Sequence, residues 1–239
     1  MTFRITAATA ATLALAFAAP AAAKVYPLYL QGTIASGYDQ AGYFLSGGGD
    51  LTGRAFKAAF FTDDSVGGRE EDDGQRTWIF GADERNPTTA TLTINGVTVA
   101  FGEPMGPIGE DHSDEYYGET RQQVGASDSY RRMSEGWIYD DRDWSWVYFH
   151  QEAGGFGQDF LADHDWRSLT TAQAQAATRI GSFTIQHYDN HSGYTPLATG
   201  RFEITSAAIP EPGAWTLMIA GLGLAGGLLR RRRGVLAEA

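Results

Sequence analysis

Between Lys24 and Ile209, apolar side chains seldom recur at helical spacing. They alternate with polar ones over short runs, the two-residue period of a β-strand. The clearest run is TLTINGVTVAF, residues 91–101. Asn95-Gly96 is the preferred pair for a two-residue type I′ turn, which sets Ile94 opposite Val97, Thr93 opposite Thr98 and Leu92 opposite Val99. The four aliphatic side chains then share one face of the hairpin and the threonines the other. Comparable alternating or aromatic runs occur at 26–35, 54–62, 77–80, 136–139, 144–150, 180–188 and 199–205. Turn-rich pieces such as SGGGD at 46–50 and DDSVGGREEDDG at 63–74 separate them. The one helical candidate, LTTAQAQAATR at 169–179, has no apolar stripe and reads as a short helix or an ordered loop. Many short strands without a long amphipathic helix predict an all-β fold, a single β-sandwich or jelly-roll-like domain over 24–208.

The two ends of the chain break this period. At the start, MTFRITAATAATLALAFAAPAAAKVYP offers a positive Arg4, an apolar stretch over 5–19 and the small residues Ala21-Ala22-Ala23. That order predicts a secretory signal peptide over 1–23 and a mature chain beginning near Lys24. At the other end, IPEPGAWTLMIAGLGLAGGLLRRRR occupies 209–233, and residues 212–229 are eighteen without a charge. As a helix they would measure about 27 Å, close to the roughly 30 Å of a bilayer's hydrocarbon core. Trp215 lies near one end, where an indole favours the headgroup region, and Arg230 to Arg233 mark a cytoplasmic side at the other. A transmembrane helix over 213–229 follows, with the domain outside and the Arg cluster 230–233 inside. Within it, Gly221-Leu222-Gly223-Leu224-Ala225-Gly226 spells the dinucleotide-binding pattern G-x-G-x-x-G. No strand precedes it and no acidic residue stands about twenty positions on, so the match is accidental.

Pro210-Glu211-Pro212, then Trp215, a glycine-bearing span and the arginines Arg230, Arg231, Arg232 and Arg233 resemble the PEP-CTERM sorting signal of Gram-negative bacteria. The resemblance covers about 209–233. It implies cleavage by exosortase, a membrane transpeptidase, after export by the general secretion machinery and signal peptidase. It also implies transient inner-membrane anchoring, transfer to the cell surface, and a setting of exopolysaccharide and biofilm. The two prolines around Glu211 keep that peptide extended, and a membrane tether would hold it near its processing enzyme. The stretch 32–64 is loosely similar to an N-terminal pattern that recurs in such proteins: strand, G-x-D-x-x-G-x-F-like spacing, glycines, L-x-G and an aromatic strand. No activity comes with it.

Composition narrows the function classes. There is no cysteine, which excludes disulfides, a lipid-modified cysteine and thiolate metal sites. Residues 24–209 hold 27 acidic and 13 basic side chains, counting out Arg4, Glu211, Glu238 and the four terminal arginines, a net charge of −14. Such a domain repels nucleic acid and anionic membrane. The five histidines form no H-E-x-x-H, although His187 and His191 have HxxxH spacing, and no G-x-S-x-G occurs. No catalytic residue or cofactor is assigned, and a secreted hydrolase is the remotest reading. For calcium, carboxylates could come from Asp63, Asp64, Asp72 and Asp73 (with Glu70 and Glu71), from Asp140, Asp141 and Asp143, and from Asp163 with Asp165; none completes an EF-hand loop. For a glycan, DDRDWSWVYFH at 140–150 places Trp144, Trp146, Tyr148 and His150 on one strand face and Ser145, Val147 and Phe149 on the other. An exposed aromatic row would stack on sugar rings; alternatively both faces are core. The expectation is an exported surface or matrix protein, structural or adhesive in a polysaccharide envelope. The competing class is a secreted carbohydrate- or calcium-binding module.

Overall fold

The alternation materialises as twelve strands, every pairing antiparallel. The computed structural model describes residues 24–102, 112–140 and 145–209, with side chains throughout except at 112–114 and 140. The expected signal peptide and C-terminal helix lie outside the described residues. In chain order the strands are β1 (Val25–Asp39), β2 (Gly49–Asp50), β3 (Ala55–Asp63), β4 (Arg69–Asp72), β5 (Arg76–Ala82), β6 (Thr88–Ile94), β7 (Val97–Phe101), β8 (His112–Gln123), β9 (Asp128–Asp140), β10 (Ser145–Gly157), β11 (Thr178–Asp189) and β12 (Gly193–Ala208). Among the described residues a short 3-10 turn occupies Asp83–Arg85, and one α-helix, α1 (Thr171–Ala176), precedes β11. Its start is a capping box: Thr170 Oγ1 accepts from the Gln173 backbone, and the Gln173 side chain accepts from the Thr170 backbone.

All the strands join one sheet, in the order β4-β5-β8-β9-β10-β11-β12-β1-β3-β6-β7, with β2 attached to β1. The expected two-sheet sandwich is therefore not what forms; one sheet curls into an open half-barrel whose two arms face each other. Its bend runs through the longest strands. The β1–β12 ladder shifts register at Gln31/Gly32 and again at Ile34/Ser36, and β11–β12 shifts at Ile185/Gln186. Such bulges raise local twist and let one strand serve both arms. Where the arms meet, the hydroxyls of Thr62 on β3 and Thr120 on β8 lie 2.6 Å apart, and Thr88 on β6 reaches Thr120 at 3.0 Å. Gly118 makes this approach feasible, since a methyl there would run into Asn86 Oδ1 and the Thr88 carbonyl.

The inner face is the core. Leu28, Leu30, Ile34, Phe56, Phe60, Leu92, Ile94, Phe101, Phe149, Phe183 and Ile185 are all buried. Phe56 stacks on Phe202 with centroids 4.3 Å apart. The interior is not uniformly apolar: Gln122, Ser134, Gln151 and Arg132 are buried too. Arg132 donates to the Trp166 carbonyl at 3.3 Å and lies 5.7 Å from its ring, and burial pulls its guanidinium pKa down to about 9. The Asn95-Gly96 hairpin has the predicted register, with φ of 53° and 80° at the turn. Leu92 and Ile94 are buried as expected and Thr93 bonds Thr98 across the other face at 2.8 Å, but Val97 is 41% exposed because the tip overshoots the core edge.

The glycine-aspartate pattern at 37–51 is a structural device. Asp39 is 0% exposed, and its carboxylate accepts four backbone N–H bonds: Gly42 at 2.9 Å, Tyr43 at 3.0 Å, and Phe44 and Leu45 at 2.8 Å each. Gly42, at φ 82°, turns the chain back over that carboxylate. The loop thereby drives Phe44 into the core, edge-on to Phe183 at 5.4 Å.

Candidate functional site

On β10, Ser145, Phe149, Gln151 and Ala153 point inward and are buried, so Trp146, Tyr148, His150 and Glu152 face outward. Pairing extends that outward face over the neighbouring strands. Trp146 stands opposite Tyr139 of β9 and Tyr188 of β11, and Tyr188 opposite Tyr194 of β12. One row along, Tyr148 stands opposite Trp137, and the next row pairs His150 with Glu135. Directly opposite positions bring side chains close enough to touch. Trp146 and Tyr188 stack with centroids 3.9 Å apart and planes at 20°, and Tyr194 meets Tyr188 at 5.0 Å. Tyr139 lies 5.9 Å from Trp146, and Trp137 lies 5.2 Å from Tyr148. The result is an aromatic band across β9 to β12, ending in Tyr194 at 61% exposure.

Carboxylates border the band. Glu135 receives a hydrogen bond from Tyr148 at 3.0 Å and bonds His150 Nδ1 at 2.8 Å. Burial alone would push its pKa up, but the bonds from His150 and Tyr148 and the nearby Arg131 charge win, holding it below the usual glutamate value. Tyr139 donates to Glu115 at 3.1 Å; burial and that carboxylate push its phenol up to about 12. Burial and the Glu135 charge raise Tyr148 in the same sense. Both phenols thus stay protonated donors at neutral pH. Beside Trp137 a hollow of about 400 Å³ is lined by Glu115, Tyr117, Glu135, Ala82 and Asp83. Further along the same face, Arg131 bonds Glu152 at 2.8 Å and approaches Glu119 at 3.9 Å.

Of the expected platform, Trp146 and Tyr148 belong to this band and His150 joins it, while Trp144 lies outside the described residues. The sequence reading missed Trp137, Tyr139, Tyr188 and Tyr194. The period-two placement of Trp137 and Tyr139 in GWIYD was the available signal; cross-strand neighbours leave none in a linear string.

The expected calcium carboxylates that are described have partners within the protein, and three of them, Asp64, Glu70 and Asp165, share Arg167. Asp63 accepts from the Ser65 backbone at 2.8 Å, and Asp64 accepts from Tyr26 at 3.3 Å and faces Arg167 at 3.5 Å. Asp72 holds the Gly74 N–H and pairs with His164 at 3.2 Å; Asp73 pairs with Arg76 at 3.1 Å. Glu70 takes a two-pronged bond from Arg167 at 2.6 and 2.7 Å. Asp163 and Asp165 accept backbone and serine or arginine bonds of their own loop. Asp141, Asp143 and the side chain of Asp140 lie outside the described residues. Among the described residues, no three His, Asp or Glu side chains converge in a way that could hold a metal ion. His187 lies in β11 and His191 in the turn that follows it. No helix among the described residues is long and apolar enough to cross a membrane.

The family model of the PEP-CTERM protein-sorting motif matches residues 208–233, beginning at the last residue of β12. No curated protein and no solved structure matches this chain. The residues of the motif from Pro210 to Pro212, with Trp215 and Arg230 to Arg233, lie outside the described residues, so their placement relative to the domain is not described.

Proposed function

We propose that this exported, exosortase-processed chain is an adhesive protein of the exopolysaccharide envelope, gripping polysaccharide through its outer aromatic band. The PEP-CTERM motif supplies the route: export, transient anchoring at the C-terminus and processing by exosortase. The single observation that carries the ligand class is the band itself. Rings that are partly exposed on a sheet surface, Tyr194 most of all, flanked by carboxylates and phenols, match a sugar ring, which offers an apolar face and a rim of hydroxyls. A lipid or an apolar peptide would instead lay apolar surface against the charged Glu115 and Glu135 beside the rings. The reading is one of binding rather than turnover, since Glu135, Glu115 and Glu152 are engaged with phenols, His150 and Arg131. The predicted signal peptide over 1–23 and span over 213–229 fit the route.

Affinity electrophoresis through gels cast with hydroxyethyl cellulose, dextran or alginate tests the ligand. Retardation by at least one polysaccharide should fall about tenfold in affinity, some 1.4 kcal/mol, in Trp146→Ala. Retention unchanged in a folded Trp146→Ala, Tyr188→Ala double variant would rule the band out. The route is tested separately by mass spectrometry of surface protein from wild-type and exosortase-deficient cells. A mature form that keeps residues 213–239 contradicts it.

A further inference from the structure

The end of the sheet remote from the aromatic band carries a second exposed apolar region. There β1 begins and β12 ends side by side: the last pair of their ladder is Tyr29 with Ala208. From Val25 to Leu28, β1 pairs with β3 alone, leaving its other flank unladdered. A groove of about 880 Å³ opens there, lined by Val25, Pro27, Tyr29, Phe61, Leu169 and Ile209. Val25 is 48% exposed, and Tyr29 meets Phe61 edge-on at 6.0 Å. Ile209 is pinned in the wall: its N–H donates to Thr171 Oγ1 at 2.8 Å, and its carbonyl accepts from the same hydroxyl at 2.9 Å.

We infer that this corner is a membrane-facing surface that lies in the headgroup layer of a zwitterionic bilayer while the chain is tethered. The inference rests on the anchoring half of the proposed route and is independent of the polysaccharide. Tether length drives it. Three residues, Pro210 to Pro212, separate Ile209 from the span at 213. Even fully extended they reach only about 10–11 Å. The headgroup layer is roughly 5–8 Å thick on each side, so the tether keeps Ile209 in that layer or within a few ångströms of its outer edge. Val25, next to the expected start of the mature chain at Lys24, lines the same groove as Ile209. Aromatic and proline side chains without polar partners suit that layer. The net charge of −14 over 24–209 favours neutral headgroups over anionic ones.

The absence of cysteine makes the test clean. Val25→Cys and, as reference, Tyr194→Cys each give one attachment point for an environment-sensitive dye, both at exposed positions. The full chain is reconstituted in phosphatidylcholine vesicles, with and without spin labels at the headgroups. The dye at 25 should emit to the blue of the dye at 194 and be quenched severalfold more by the lipid label. Adding phosphatidylglycerol should reduce that difference. Equal quenching at both sites in chain that floats with the vesicles overturns the docking surface and leaves the tether intact. Failure to float at all overturns the tether and the surface with it. Shielding from aqueous iodide without lipid quenching means that protein covers the groove, which also overturns the inference.

Discussion

Both ends of the curled sheet expose apolar side chains, and the two differ in what surrounds the rings. At the β9–β12 end, Trp146 stacks on Tyr188 and Tyr194 packs against both at an angle, while Tyr139 and Tyr148 hand their hydroxyls to Glu115 and Glu135. At the other end, Val25, Pro27, Phe61 and Ile209 give a groove a mainly apolar surface, although Arg167, Thr170 and Gln175 also line it, beside the two points where the described chain enters and leaves the domain. The difference separates two kinds of apolar surface. One is amphipathic, suited to a ligand that is itself half polar; the other is plainly apolar, suited to a layer that is wet on one side and greasy on the other. Fourteen Cα steps of β12 separate Tyr194 from Ala208, at most about 46 Å of strand. On the proposed tether at Ile209, the aromatic band would lie at the end of the domain remote from the membrane.

The comparison breaks most completely if the shared frame is removed. Asp39→Ala deprives four buried or half-buried N–H groups of one carboxylate and should cost about 3–4 kcal/mol, lowering Tm by roughly 6–16 °C in a domain of this size. Both surfaces should fail together in that variant. An unchanged thermal midpoint would mean that the Asp39 loop is dispensable. Gly118→Ala comes next, because its methyl meets the Thr88 carbonyl and Asn86 where the arms touch. About 2–3 kcal/mol of destabilisation is expected by calorimetry, and a loss under 0.5 kcal/mol would show the arms free to part.

A smaller change sharpens the comparison by pH. Glu135 has its folded pKa held down, so its contribution is present above the ordinary glutamate range and fades as pH falls below it. Replacing it, Glu135→Gln should cost about 1–2 kcal/mol at neutral pH, through charge-assisted bonds lost to His150 and Tyr148. The gap between wild type and variant should close as pH falls below about 4. A gap that stays constant down to that pH would mean the charge is not what matters. Dye quenching at position 25 should be indifferent to this change. The smallest effect belongs to Tyr194→Ala. With 61% of the residue exposed, its removal should move stability by less than about 0.5 kcal/mol while weakening polysaccharide retention two- to threefold. A folded variant with full retention would trim the band back to Trp146 and Tyr188.

Several elements were legible as a string. The type I′ hairpin at Asn95-Gly96 took the register its turn residues dictate, and α1 appeared within 169–179 behind Thr170. The outward set of Trp146, Tyr148 and His150 followed from alternation alone. By contrast β8, HSDEYYGETRQQ, gave no strand signal, because its inward positions Gly118, Thr120 and Gln122 are polar or bare. Those residues suit a strand only because the opposite arm offers threonine hydroxyls and backbone at close range. β4 was read as part of a turn; its acids are held by pairing with β5 and by Arg167. The Asp39 pattern was visible as spacing, but its meaning required knowing that four N–H groups converge on one carboxylate.

Sequence by itself determined the all-β class, the register of the Asn95-Gly96 hairpin and the sorting motif, because each depends on neighbours a few residues apart: side-chain period, turn chemistry, one uninterrupted apolar run. Tertiary structure alone decided that the strands form one curled sheet rather than two, that six aromatic residues from four strands make a single surface, and that Val25 and Ile209, at the two ends of the described domain, line one groove. Those outcomes depend on contacts between residues up to nearly two hundred positions apart, fixed by bulges and by glycine gaps that admit the opposite arm. Local patterning does not encode such distances.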